Sequence, residues 1–262
     1  MARSGGLDET AVALGRATRE SIEQLGGVAR FFWRSAVHFP ALLVRPDLLT
    51  EQMMVIGVGS LPIVVLIAAV TGFIVTWQFV YLTANAIPLT YLGTVVVKAS
   101  FTAMGPTFAA LILAGRISAR LASELGNMKV TEQLDAMTCL SLDVHYYLFA
   151  PRILAALVMT TVLFVFASFV LIMSAQVLAT LAFDLSPYTF YNGMRLLFKV
   201  QDAVILLVKG FVFGGILSVV GCYHGYLTTG GAVGVGESTK NAVVSASVLV
   251  LATDVVINQL MM

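Results

Sequence analysis

Two side chains of opposite charge, Lys209 and Asp254, lie inside the last two long apolar stretches of the sequence. An isolated charge inside a membrane costs on the order of 3 kcal/mol, so such residues pair with one another or take part in transport. Each lies about 13 residues, or roughly 20 Å of helix, from the loop that joins the two stretches, which puts both at one depth. We therefore expect Lys209 and Asp254 to form an ion pair, which either fixes the helix register or tunes a substrate cavity.

Five apolar runs have the length that a membrane helix needs. A hydrocarbon core about 30 Å thick takes roughly 20 helical residues. Of the 262 residues, 59% are hydrophobic and 11% are charged, whereas soluble domains carry roughly 25% charged residues. The third run exceeds one crossing, which predicts tilt or an extension beyond the lipid rather than a sixth span. We expect an all-α integral membrane protein with five transmembrane helices at residues 53–80, 92–119, 149–183, 200–222 and 241–262.

Arginine and lysine in the short loops set the expected orientation. Residues 1–46 and the loop after the second run hold most of these cations, which marks both as cytoplasmic. We expect residues 1–20 to be a cytoplasmic tail with no cleavable signal peptide. Residues 21–46 contain apolar side chains at helical spacing, namely Val28 or Ala29, Phe32 and Ala36. This pattern predicts an amphipathic helix on the membrane surface that ends near Pro40. A solvated linker is the alternative.

The loop after the second run contains a segment suited to contact a soluble partner. Gly126 and Asn127 are expected to end one helix and cap the next. Val130, Leu134 and Met137 then form an apolar stripe on a predicted amphipathic helix at about 124–138. Because this helix joins two spans, a partner that grips it could move them. The candidate contact residues are Glu124, Gly126, Lys129, Thr131, Glu132, Gln133 and Asp135.

Other residues that could support chemistry are dispersed. The three histidines and two cysteines lack metal-ligand spacing, so no metal site, disulfide or catalytic centre is predicted. The net charge of +1 argues against a nucleic-acid partner. The glycines between Gly230 and Gly236 lack the order of a nucleotide-binding motif and predict a flexible loop. The sequence also lacks the G-x-x-x-x-G-K-[ST] phosphate loop, so any ATP would be hydrolysed by another protein.

The segment 124–137 closely resembles the cytoplasmic coupling helix of the MlaE-type (YrbE-like) permeases, the membrane subunits of ABC transporters that work with MCE-domain proteins. The similarity covers roughly residues 50–262, which makes 47–262 the expected permease transmembrane domain. Further matching segments are Gly105-Pro106, Ala114-Gly115-Arg116, Pro151-Arg152, 221–236 and 239–244.

The resemblance implies a homodimer of this chain, two ATPase subunits that carry ATP and magnesium, and a ring of MCE-domain protein. This chain itself would hold no cofactor. Phospholipid would pass between that ring and the bacterial inner membrane. This transport would help maintain the lipid asymmetry of the outer membrane. The amino terminus would be cytoplasmic and the carboxyl terminus periplasmic. The resemblance also implies that Lys209 and Asp254 act at a lipid cavity, since a lysine and an aspartate occur at the matching positions.

One departure from the family and two alternative functions stay open. Thr102-Ala103 stands where the family often has an arginine–glutamate pair. Lys98, about one turn earlier, is expected to reach the outer interface by snorkelling, and the alternative is that it supplies a charge in place of that pair. An ion-coupled secondary carrier that uses Lys209 and Asp254 is the main alternative function. An intramembrane lipid-modifying enzyme is another, although no nucleophile or metal cluster supports it.

Overall fold

The computed structural model describes residues 26–42, 45–83 and 87–261. Every regular element within these ranges is a helix, and five helices are long and apolar enough to cross a membrane. The five spans are Pro46–Thr83, Leu89–Val130, His145–Phe183, Val200–Tyr226 and Gly231–Met261. The predicted fold class and the number of spans are therefore confirmed. Each helix is longer than its apolar run, because polar turns extend it beyond the apolar segment.

The first three spans are interrupted helices. The first consists of Pro46–Met53, a π-helical turn at Met54–Val58, and Gly59–Thr83. The second consists of a 3-10 turn at Leu89–Tyr91, helices Leu92–Thr102 and Met104–Leu113, a π turn at Ala114–Ser118, and Ala119–Val130. The third begins with a π turn at His145–Phe149 and continues as Ala150–Phe183.

The spans alternate in direction, which gives the bundle two ends. The connector end carries residues 131–144, with a short helix at Gln133–Cys139, and residues 227–230. The far end carries residues 87–88 and 184–199, which include the far-end helix Pro187–Leu197. All three π turns lie toward the connector end, where Arg116 of the second span donates to Ser60 Oγ of the first at 3.0 Å. Such turns are frequent at functional sites.

The third span is the central element of the core. It packs most extensively on the fourth and first spans, and Phe164 meets Phe213 edge to face at 6.1 Å. Glycines at 210 and 214 let the fourth span approach closely, and Thr160 Oγ1 donates to the Gly210 carbonyl at 2.9 Å. The fifth span packs mainly on the second and fourth and leaves one long face exposed.

A surface helix at residues 26–36 lies against the connector end. Its buried residues are Phe31 and Ser35, whereas the predicted Phe32 and Ala36 are only partly buried, so the buried face is offset by about one residue from the predicted one. Phe31 packs against Phe149 with a 4.7 Å centroid distance, while Trp33 is 72% exposed. Pro40 lies inside a second short helix, Phe39–Leu42. The rest of the predicted segment, 21–25 and 43–44, and the predicted tail 1–20 lie outside the described residues.

Candidate functional site

Lys209 and Asp254 form the predicted ion pair. The Lys209 Nζ lies 2.6 Å from Asp254 Oδ1, and the lysine side chain is completely buried while the aspartate is 13% exposed. The two residues lie on the fourth and fifth spans, at the shared depth that residue counting predicts. A buried pair is tolerated only when further hydrogen bonds satisfy both charged groups.

The second span supplies a further acceptor for the lysine through a break in its helix. Pro106 has no N–H, so the carbonyl four residues earlier, at Thr102, loses its helical donor. The helix ends at Thr102 and restarts at Met104, with Ala103 at φ −127° and ψ −84° between them. The Lys209 ammonium donates to the freed Thr102 carbonyl. The Gly-Pro motif thus creates the acceptor that the buried lysine needs.

The aspartate is held by hydroxyl and amide groups. Thr107 Oγ1 donates to Asp254 Oδ2 at 3.0 Å, and Asn258 Nδ2 lies 3.5 Å from the same oxygen. Asn258 Oδ1 is buried and lacks a hydrogen-bond partner among the described residues. The ion pair therefore joins the second, fourth and fifth spans in one polar cluster, which we call the inner cluster: Thr102, Thr107, Lys209, Asp254 and Asn258. A change in the tilt of any of these spans must alter it.

A second charged pair, Lys98 and Asp202, was not predicted from the sequence. Lys98 Nζ lies 2.7 Å from both carboxylate oxygens of Asp202, which is almost fully buried. Lys98 is 35% exposed and reaches toward the far end of the bundle, where it pairs with Asp202 at the start of the fourth span. Asp202 also accepts from the Lys199 backbone N–H at 3.0 Å, as a helix-capping residue does. The sequence did offer one signal for this pair, because Asp202 is an acidic residue at the start of an apolar run.

The helix break in the connector lies later than predicted. The second span runs through Gly126 and Asn127 to Val130, and the next helix begins at Gln133. Gly126 does not end a helix, because its role is close packing: a Cβ there would lie 2.9 Å from Thr228 Oγ1. The reversal is at Glu132, which has a left-handed φ of 59°. The predicted single element at 124–138 is thus the end of one helix and a second short helix.

The corner at Glu132 is braced by an ion pair across it. Lys129 Nζ lies 2.8 Å from Asp135 Oδ1, and Leu134 is buried beneath the turn. Met137 is partly buried and Val130 is partly exposed, so the predicted apolar stripe is confirmed only in part. Thr131, Glu132 and Gln133 point outward and are exposed. The corner therefore exposes three polar residues, 131–133, next to an ion pair and a buried leucine.

Glu124 lies apart from this edge. Its Oε1 accepts from Arg152 on the third span, whose side chain is 6% exposed, and Arg120 Nε lies 3.8 Å from its other oxygen. Arg152 Nε is buried without a hydrogen-bond partner among the described residues. Glu124 therefore ties the second and third spans together behind the connector.

Two further features lie near the connector end. An apolar slot of about 370 Å³, which we call the connector-end slot, lies between the surface helix and the third, fourth and fifth spans. Its lining includes Val28, Phe32, Leu157, Ile216, Val220 and Leu249. The predicted flexible loop at 230–236 is wrong, because the fifth span already begins at Gly231. In the described residues no group of three potential metal ligands occurs, and both cysteines are free thiols.

Histidines at the connector end hold the surface helix. His38 Nε2 lies 3.2 Å from Asp143 Oδ2, and Ser35 Oγ lies 3.1 Å from His145 Nδ1. The Asp143 carboxylate also accepts from the His145 backbone N–H at 2.8 Å. Since the carboxylate pairs with His38 and the hydroxyl with His145, the four groups do not form a Ser-His-Asp relay. Their contacts attach the surface helix to the connector.

Known proteins match nearly the whole of the described chain. The family Permease MlaE matches residues 49–260. A probable ABC transporter permease protein of Rickettsia bellii is 33% identical over 222 residues, which cover 83% of this chain and 86% of the relative. One from a Synechocystis species is 34% identical over 215 residues, 80% of each chain. The chloroplastic protein trigalactosyldiacylglycerol 1 of Arabidopsis thaliana is 32% identical over 208 residues, 79% of this chain and 59% of the relative. The chain therefore belongs to the Permease MlaE family of multi-pass ABC-transporter permease subunits.

Proposed function

We propose that this ABC permease subunit moves phospholipid between a bacterial inner membrane and an MCE-domain protein, and so helps to maintain outer-membrane lipid asymmetry. It would act as a homodimer with two ATPase subunits. Family membership favours an ATP-driven permease over an ion-coupled carrier. One relative bears the name of a glycolipid, which agrees with a lipid substrate. In this proposal the connector is cytoplasmic and the carboxyl terminus is periplasmic.

The braced corner at residues 131–133 carries the proposal. A soluble ATPase can drive a membrane subunit only by pressing on an exposed element that is rigidly joined to the spans. Thr131, Glu132 and Gln133 form such an edge, and the Lys129–Asp135 pair and buried Leu134 fix it. The Arg152–Glu124 contact then carries displacement into the second and third spans. The ATPase would supply ATP and magnesium, since this sequence has no phosphate-binding loop.

Apolar surfaces beside the inner cluster support a lipid substrate. The fifth span exposes a stripe at helical spacing whose members are Val244, Val248, Leu251 and Val255. Two such stripes facing each other in a homodimer would enclose an apolar space, and Asp254 is on the same helix. Displacement of the second span would change the Thr102 and Thr107 contacts of the inner cluster. We infer that the inner cluster sets the tilt of the spans that bound this space.

The experiment is a charge reversal at the corner. Glu132→Lys is expected to leave membrane insertion normal and to abolish copurification of the ATPase, because a partner surface that accepts a carboxylate repels an ammonium. Glu51→Lys is the matched control, since Glu51 is exposed near the same end, at the start of the first span. Copurification of the intact complex at normal yield with Glu132→Lys would contradict the proposal.

The substrate needs a separate measurement. The purified complex, reconstituted with fluorescent phospholipid, is expected to transfer lipid to the MCE-domain protein only when ATP and magnesium are present. Transport by this chain alone that follows an ion gradient would instead support the secondary carrier. Loss of transfer in Lys209→Met with normal ATPase binding would place the inner cluster in the transport step.

A further inference from the structure

The far-end helix is fixed by direct backbone contact with the second span. A Cβ atom on Gly93 or Gly193 would overlap the backbone of the other segment, so these glycines allow the close approach. Thr94 Oγ1 donates to the Gly193 carbonyl, and Tyr191 donates its hydroxyl to Gln176 Oε1 of the third span at 2.6 Å. These contacts hold the far-end helix as a wall above the ends of the second and third spans.

A second slot opens next to this wall. It has a volume of about 300 Å³, at the lower end of the range for small-ligand cavities. Phe101 and Phe198 form part of it and meet edge to face at 5.6 Å. Five of its lining residues are apolar and one is a cation. We call it the far-end slot, lined by Val97, Phe101, Ile172, Met194, Arg195 and Phe198.

The cation of this lining, Arg195, is available to a ligand. Its side chain is exposed, and no carboxylate of the described residues lies within 4 Å of it. Lys98, next to the lining residue Val97, is already paired with Asp202 at 2.7 Å. A guanidinium binds phosphate with two parallel hydrogen bonds. The site therefore combines an apolar slot with one exposed arginine that pairs with no carboxylate of the described residues.

We propose that the far-end slot binds one acyl chain of a phospholipid while Arg195 binds its phosphate. The volume suits part of one chain rather than a whole lipid. Exposed Leu196, Leu197 and Val200 keep the mouth of the slot at the membrane interface. The site deepens the proposed transport of phospholipid, and rests on it, by giving the lipid a position at the end opposite the ATPase.

Photolabelling with a defined lipid tests the site. The full chain is placed in phosphatidylcholine nanodiscs that contain phosphatidylglycerol with a diazirine on its acyl chain, and adducts are mapped by peptide mass spectrometry. We expect adducts on peptides that contain Phe101 and Met194. Arg195→Gln is expected to lower their yield roughly fivefold, the size of one exposed ion pair. Arg195→Lys should retain part of the labelling, because it keeps the charge but loses one of the two parallel hydrogen bonds, and Met194→Trp should remove the labelling by filling the slot.

Controls separate this site from general lipid contact and from transport. Arg30→Gln, an exposed arginine on the surface helix at the other end, should leave labelling of the far-end slot unchanged. Equal labelling in Arg195→Gln and the unmodified chain would overturn the proposal. Labelling needs neither ATP nor partners. Its failure would thus remove this site alone, whereas failed ATP-driven transfer with intact labelling would remove only the proposed function.

Discussion

Lys209 Nζ lies 2.6 Å from Asp254 Oδ1 within the spans, and Lys129 Nζ lies 2.8 Å from Asp135 Oδ1 at the connector end. The residue types and distances match, but Lys209 is fully buried whereas Asp135 is 58% exposed. An exposed pair contributes up to about 1 kcal/mol, because water screens it and solvates each partner alone. A buried pair has no such alternative, so loss of one partner leaves an unsolvated charge. Burial, rather than distance, therefore decides what each pair does.

The largest expected effect comes from removal of the buried lysine. Lys209→Met should lower the free energy of unfolding by about 3–5 kcal/mol, because Asp254 is left as an uncompensated charge. The measurement is unfolding of the purified chain by dodecyl sulfate in mixed micelles. The double variant Lys209→Met with Asp254→Leu should regain most of the stability, since an apolar pair removes both charges. A double variant no more stable than Lys209→Met would contradict this account of the inner cluster.

A medium effect is expected at the helix break. In Pro106→Ala the amide of residue 106 gains an N–H that can reach the Thr102 carbonyl, which otherwise depends on Lys209. The cost of Lys209→Met should then be smaller by about 1 kcal/mol, the value of one hydrogen bond. A double-mutant cycle of these two substitutions measures the difference. Strictly additive effects would show that the proline and the lysine are not linked through this carbonyl.

The same contrast explains which parts of the site could be predicted. Five apolar runs gave the fold, because the lipid requires whole helices and leaves few alternatives. Lys209 and Asp254 were predictable as a pair, since two charges at one depth in apolar segments have few other partners. At the connector, by contrast, Glu124, Lys129, Glu132 and Asp135 could pair in several ways. The Lys129–Asp135 pair depends on a reversal at Glu132 that local composition does not specify.

Packing caused the other errors. Gly126 was predicted to end a helix, as glycines often do, but it lies against Thr228 of another segment. Glycines at 231–236 were predicted as a loop, whereas they form the first turns of the fifth span. Asp202 was overlooked because its partner, Lys98, is 104 residues earlier. Gly126 and Asp202 depend on contacts between distant segments, which periodicity along one segment does not report.

The smallest expected effect is at the connector pair, and its salt dependence distinguishes the two pairs most directly. Lys129→Ala and Asp135→Ala should each lower the free energy of unfolding by less than about 1 kcal/mol, with a coupling energy of roughly 0.2–1 kcal/mol. Raising the ionic strength from about 0.1 to about 1 M shortens the screening length from roughly 10 to 3 Å, so this coupling should nearly vanish. The coupling of Lys209 with Asp254 should stay unchanged, because salt does not enter the inner cluster. If the coupling energy between Lys129 and Asp135 did not change with salt, packing on Leu134 rather than the ion pair would hold the corner at Glu132.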